Sequence, residues 1–305
     1  MGNIGIQKTY LRIAALGLLM VMLPLIGYTQ SKRAFMVGIS NYSSNQLLAD
    51  GKGWNDIHGE NDVKLLAPTL KKQGFTIQKL CNKEATANNI RKSLASFSAK
   101  CKSGDIVYLH FSCHGQPFED YDGDENDGWD EALVPFDALK EYHQGNYTGE
   151  NHITDDELNG YLKTIRKKIG PKGFVYVVID ACHAGSSYRG DEEEDGVIIR
   201  GTNCGFSKSS KPFAPPINEE SKRSKIKIDK NADIANICIL EACRSYERNR
   251  EVQDNANYFG SLSYYINKAL QSARLDKSIS WTERVVWFMK QDVRLVQNPV
   301  IETSL

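Results

Sequence analysis

Two runs constrain this chain more than anything else in it. Residues 105–111 (DIVYLHF) and 174–180 (FVYVVID) are apolar, β-branched or aromatic at nearly every position. A strand with one wet face alternates polar and apolar residues, so runs like these fit strands buried on both faces. Residues 34–39 (AFMVGI), 75–80 and 237–242 read as further strands. Helical spacing fills the intervals: Val63, Leu66 and Leu70 share one face of 62–72, and 90–97, 259–270 and 281–296 read as helices. Thr154-Asp155-Asp156-Glu157 is a capping box opening a helix toward Lys168, which Gly170-Pro171 stops. Pro299 then breaks the pattern before a short apolar tail. Alternating strands and helices argue for an α/β fold with a mostly parallel sheet and helices on both faces.

Composition removes several classes of function. With 38 basic and 38 acidic side chains there is no basic surplus for a nucleic-acid partner. Seven cysteines are too few for a disulfide scaffold, and an odd number leaves at least one thiol without an intramolecular mate. At the amino terminus, Lys8 and Arg12 precede an uncharged apolar run over 13–26, then Gly27 and Thr29. That order predicts a signal peptide over 1–29 and export to the periplasm or beyond, with an uncleaved anchor as the alternative. The run is shorter than the roughly twenty residues a spanning helix needs, so no membrane association is expected beyond this segment. One domain then covers 32–305. Two stretches read as unpacked: 119–131, with eight carboxylates in thirteen residues, and an exposed loop over 191–231 that carries Pro212, Pro215 and Pro216.

In open α/β sheets reactive groups gather at the carboxyl ends of strands. One strong strand here runs into Phe111-Ser112-Cys113-His114-Gly115, the other into Asp180-Ala181-Cys182-His183-Ala184-Gly185. If the strands are neighbours, an imidazole faces a thiol: Cys182 as nucleophile, His114 as the base that takes its proton and returns it to a leaving amine. The glycine after each motif frees backbone amides to hold an oxyanion. The plainer reading makes each cysteine a small buried hydrophobe. His183 and His110 are rival bases, but His183 adjoins Cys182 and points the other way along a strand, and His110 sits within its strand. The adjacent Cys-His pairs lack the spacing of a zinc site.

FSCHG, then DGDENDGWDE, ITDDEL and DACHAG, in that order, resemble the caspase-like cysteine peptidases, and specifically the metacaspases. The resemblance runs from about Lys32 to the end of the chain. It implies a three-layer α/β/α sandwich around a six-stranded sheet, with His114 as base, Cys182 as nucleophile and the amides of Gly115 and Cys182 as oxyanion hole. It also implies a pocket for arginine or lysine before the cut bond, formed by Asp62, Ser112 and Asp180. A carboxylate ending a buried strand needs a partner, and a substrate guanidinium supplies one bidentately. The alternatives to a pocket are that Asp180 caps a turn or pairs with an arginine of its own chain.

The same resemblance implies calcium ligands at Asp130, Asp155 and Asp156, hard oxygens of the kind calcium prefers. The segment is not an EF-hand, because Glu125 stands where that loop needs glycine. Asp155 and Asp156 also suit a helix N-terminus without any ion. The chain departs from the family pattern at Arg189, where a further aspartate is usual, at Cys113 in place of a glycine, and at Gly59 in place of a pocket cysteine. In an oxidising compartment Cys113 could form a disulfide that quenches the site. Basic residues from Lys208 to Lys230 make the long loop a candidate for self-processing. The expectation is an exported cysteine endopeptidase acting on peptides or proteins after arginine or lysine, with no organic cofactor. The alternatives are a catalytically silent module of the same fold and an aspartate-directed enzyme, whose substrate the acidic pocket would repel.

Overall fold

Alternation along the central strands builds the core of the protein, seen here in a computed structural model that describes residues 30–44, 53–182, 196–202, 204–214 and 222–305. The expected signal segment lies outside these residues, as do His183 and Arg189. Among the described residues no helix is long and apolar enough to cross a membrane. Ser31–Leu305 forms one unit.

The chain opens with β1 (Lys32–Gly38), α1 (Gly59–Lys72) and β2 (Phe75–Cys81), then α2 (Ala87–Lys100) and β3 (Ile106–Ser112). A side sheet follows, made of β4 (His114–Glu119), β5 (Trp129–Val134) and β6 (Ile153–Thr154). Next come α3 (Asp155–Ile169), β7 (Phe174–Asp180) and β8 (Asn236–Glu241). The chain closes with β9 (Glu251–Asp254), β10 (Asn257–Gly260), α4 (Ser261–Leu270), α5 (Trp281–Gln291) and β11 (Val300–Thr303). The main sheet has six strands in the order β11-β8-β7-β3-β1-β2, all parallel except β11.

Period-two alternation sorts the side chains. Phe35, Val37, Val107, Leu109, Val175 and Val177 meet Leu94 of α2 and Leu162 of α3 on one face. Met36, Tyr108, Tyr176 and Val178 meet Leu66 of α1, Ile266 of α4 and Val285 of α5 on the other. This is the three-layer sandwich with a mostly parallel six-stranded sheet. Half of the capping box forms: Thr154 Oγ1 accepts from the Glu157 amide at 3.3 Å while the Glu157 carboxylate takes Arg91, and Gly170, at φ +64°, ends α3.

Several boundaries differ from the sequence reading. The helix expected over 281–296 stops at Gln291, because the Asp292 carboxylate takes the Arg294 amide and guanidinium in a local turn that competes with helix. Phe259 belongs to the β9–β10 hairpin rather than to α4, pairing with Val252. The apolar tail after Pro299 is an edge strand on β8. Most of all, neither acidic nor polar stretch is unpacked throughout. Trp129, Asp130 and Glu131 are buried in β5, so only the tip near 120–128 is loop. In the loop after β7, Arg200, Phe206 and Ile226 are buried, and Phe206 stacks on Phe118 with ring centroids 5.0 Å apart.

β1 lies between β2 and β3, so the chain leaves it on both sides and a crevice opens at the carboxyl ends of the strands. Gly59 starts α1 against that edge. A side chain there would run into the Ser112 carbonyl and lie 2.6 Å from the Ile39 carbonyl, so a family-type cysteine has no room. Gly59→Ala is expected to destabilise the fold by about 1–3 kcal/mol through overpacking. A lower urea midpoint at unchanged m-value would show it; an unchanged midpoint would contradict the packing.

Candidate active site

β3 and β7 are paired in register, Ser112 opposite Asp180, which sets His114 and Cys182 at the same level beyond adjacent strand ends. Neighbouring strands lie about 4.8 Å apart, so the two motifs share one edge. His114 begins β4 and is only 2% exposed. Its ring stacks on Trp54 at 4.9 Å, and its amide donates to the Tyr42 hydroxyl, which in turn donates to the Val134 carbonyl. Nε2 lies 2.8 Å from the Asn55 carbonyl, an acceptor only, so that nitrogen carries the proton. Nδ1 is then the basic atom, buried and without a hydrogen-bond partner among the described residues. Burial pushes the imidazole down to about 4, so it is neutral at pH 7.

Cys182 is buried just past the end of β7. Its Sγ donates to the Glu247 carbonyl at 2.9 Å, and Cys243 Sγ lies 3.5 Å from the same oxygen. A cysteine has one heavy-atom torsion with staggered wells, so one rotation re-aims the sulfur. The Cys182 amide donates to the Arg200 carbonyl at 2.7 Å, and Gly115 lies in β4 opposite Leu133. The rivals fall elsewhere. His110 is buried and bonded to Ser263 Oγ, and Cys113 is a core residue whose thiol burial pushes up to about 12, far from reactive.

Asp62, Ser112 and Asp180 do converge, and what joins them is an arginine. Arg200 is fully buried. Its Nη1 donates to Asp62 Oδ2 at 2.7 Å and to Ser112 Oγ at 2.6 Å, and lies 3.7 Å from Asp180 Oδ1. Glu251 takes its Nε at 3.0 Å. Ser112 and the Gly260 amide bond Asp62, while Asn249 Nδ2 and the Ser263 amide bond Asp180. Gly260 forms the wall: any side chain there would collide with the Asp180 carboxylate and the guanidinium. Burial pushes Asp62 up to about 7, with Arg200 pulling against it and Asp180 and Glu251 adding to it. The carboxylates thus hold a buried guanidinium of the chain's own.

The acidic stretch supplies a second cluster. Asp120, Asp124 and Asp130 bring carboxylate oxygens within 4.8 Å of one another, and so do Asp122, Asp124 and Asp156. Asp130 Oδ1 is buried with no partner among the described residues, and burial together with the neighbouring aspartates pushes Asp130 up to about 8. An orphaned buried oxygen amid hard anionic donors fits calcium. Asp155 lies outside both groups, its Oδ1 accepting from the Glu131 amide at 3.0 Å. Lys225 pairs with Glu125 and Asp127, and Lys227 with Asp124.

Several participants had no signature in the sequence. Asn55 acts through a backbone carbonyl, which any residue has. Trp54, Tyr42 and Glu251 come from distant segments. Arg200 did leave a trace: Val197-Ile198-Ile199 is an apolar run inside a polar loop, the mark of a segment that goes inside.

Comparison with known proteins agrees with this geometry. The family model described as caspase domain matches residues 31–284. Metacaspase-2 and Metacaspase-3 of Arabidopsis thaliana are 33% and 35% identical over 164 and 166 residues, each 51% of this chain but only 35% and 40% of the relative. The chain thus spans well under half the length of these curated relatives. Among solved structures, protein GSU0716 from Geobacter sulfurreducens superposes with a TM-score of 0.59 at 22% identity, covering 90% of this chain and 93% of that one. Caspase-1 from Spodoptera frugiperda gives 0.50 at 14%, covering 90% and 86%. At such identities these likenesses speak for the fold.

Proposed function

Because the chain belongs to the caspase-domain family, we propose that it is an exported cysteine endopeptidase that hydrolyses peptide and protein bonds after arginine or lysine. The observation that carries the specificity is the seat of the Arg200 guanidinium among Asp62, Ser112 and Asp180. A substrate guanidinium has the same shape and charge as the one seated there.

His114 Nδ1 takes the Cys182 proton while the Asn55 carbonyl holds the opposite ring nitrogen in place. The sulfur attacks the carbonyl carbon, and the oxyanion is held by the amides of Gly115 and Cys182. The imidazolium hands its proton to the leaving amine. Water then adds to the thioester, the acyl group leaves as a carboxylate, and a proton from that water restores the thiol. Calcium would be held by Asp120, Asp124 and Asp130, with Asp122 and Asp156 beside them. Its charge would offset theirs and fix the β4–β5 tip. The enzyme also processes itself within the loop between β7 and β8.

Arginyl, lysyl and aspartyl peptide reporters, with and without calcium and under reducing conditions, test the reading alongside Cys182→Ala. Wild type is expected to cut the basic reporters, spare the aspartyl one and depend on calcium, with Cys182→Ala inert. Hydrolysis of none of them would turn the assignment to a catalytically silent binding module.

A further inference from the structure

Residues 198–200 lie in the crevice as a bound peptide strand would. The Arg200 amide donates to the Asn249 carbonyl at 3.0 Å, the Glu251 amide donates to the Ile198 carbonyl at 3.0 Å, and Ile199 bridges Arg250 antiparallel. Proteins that read extended peptides use this arrangement, with main-chain hydrogen bonds for hold and pockets for side-chain identity. The pocket here is the acidic one, and Arg200 fills it.

The next two contacts concern the bond itself. The Arg200 carbonyl oxygen accepts the Cys182 amide at 2.7 Å, so it already occupies a donor assigned to the oxyanion. Gly201, on the far side of that carbonyl, rests on the nucleophile's own residue: a side chain there would press on the Cys182 carbonyl and lie 2.9 Å from its Cβ. An arginine in the acidic pocket, its carbonyl on an oxyanion donor and the following residue against the cysteine describe a peptide bond set in place for attack.

We propose that Arg200–Gly201 is the bond the enzyme cuts in its own chain, intramolecularly, through Cys182. This rests on the arginine-directed cysteine peptidase reading above and names where that activity is first spent. Cys182 Sγ turns from the Glu247 carbonyl and bonds to the Arg200 carbonyl carbon, its proton passing to His114. The bond to the Gly201 nitrogen breaks, and that nitrogen takes the proton and becomes a new amino terminus. Water then releases Arg200 as a carboxylate and returns the proton to sulfur. Before the cut, Arg200 excludes any other arginine from the pocket. Afterwards it is a chain end, held only by the contacts above and no longer tethered through Gly201.

Purified full-length wild type, Cys182→Ala, Arg200→Lys and Arg200→Gln, incubated with calcium and a thiol, distinguish the outcomes by intact mass and amino-terminal sequencing, with an arginyl reporter assayed in parallel. Wild type is expected to yield a fragment running from Gly201 to Leu305, at a rate independent of protein concentration, and Cys182→Ala to stay whole. Arg200→Lys keeps the charge in the pocket and should cut at the same bond. Arg200→Gln should slow that cut by about 100-fold or more, as a site built for a charged, hydrogen-bonding group rejects a poorer one. Reporter hydrolysis with residues 200 and 201 still joined, or with cuts only among the lysines from 208 to 230, would overturn this proposal and leave the peptidase reading standing. A rate that climbs with concentration would overturn the intramolecular step. No self-cut and no reporter hydrolysis would remove both.

Discussion

Asparagine in place of His114 is expected to lower kcat/KM on arginyl peptides by about 10²–10⁴-fold, the range that a positioned general base contributes. Asparagine can still donate to the Asn55 carbonyl and fill much of the space beside Trp54 and Tyr42, so the loss should fall on chemistry rather than folding. A drop in kcat with little change in KM would mark an interaction made in the transition state. The pH profile offers a second reading of the same group. Burial beside Trp54 and Tyr42 holds the imidazole down to about 4. The base works unprotonated, so activity falls as pH falls through that value, and the acid limb should lie nearer pH 4 than 6.5. A variant with wild-type kcat/KM would mean that another group takes the thiol proton.

Asp62→Asn is the second large effect. The change is isosteric and keeps one acceptor oxygen for Ser112, but it removes the carboxylate 2.7 Å from the guanidinium. Truncating one partner of a buried, hydrogen-bonded charge pair costs about 2–5 kcal/mol, so kcat/KM on arginyl reporters should fall about 30- to 4000-fold. The uncut chain should weaken as well. In a Cys182→Ala background Arg200 would keep Glu251 and Asp180 but lose its shortest ion pair, and the melting temperature should drop. Unchanged arginyl activity together with an unchanged melting temperature would show that Asp62 holds no cation in either state.

Much of the fold was legible because its signals are local. The burial of β3 and β7 is written in their uninterrupted apolar runs, and the start and stop of α3 in Thr154, Glu157 and Gly170. The acidic stretch misled for an equally physical reason: charge density masked the alternation in Trp129–Val134, whose carboxylates sit in a packed strand rather than in solvent. Of the two readings of Asp180, partner of an arginine of its own chain is the one the structure displays, since Arg200 Nη1 lies 3.7 Å from its carboxylate.

By itself the sequence determined the layered architecture and the pair of motifs at two strand ends, since periodicity and the chemistry of a Cys and a His at such ends need no distant partner. Only the tertiary structure decided which carbonyl orients His114 and what occupies the acidic pocket. Arg200 and Asp62 are 138 residues apart, and their 2.7 Å contact exists because sheet pairing carries both to one edge. No local pattern encodes a contact of that kind, because the fold's packing sets its energy and the residues on either side of it do not.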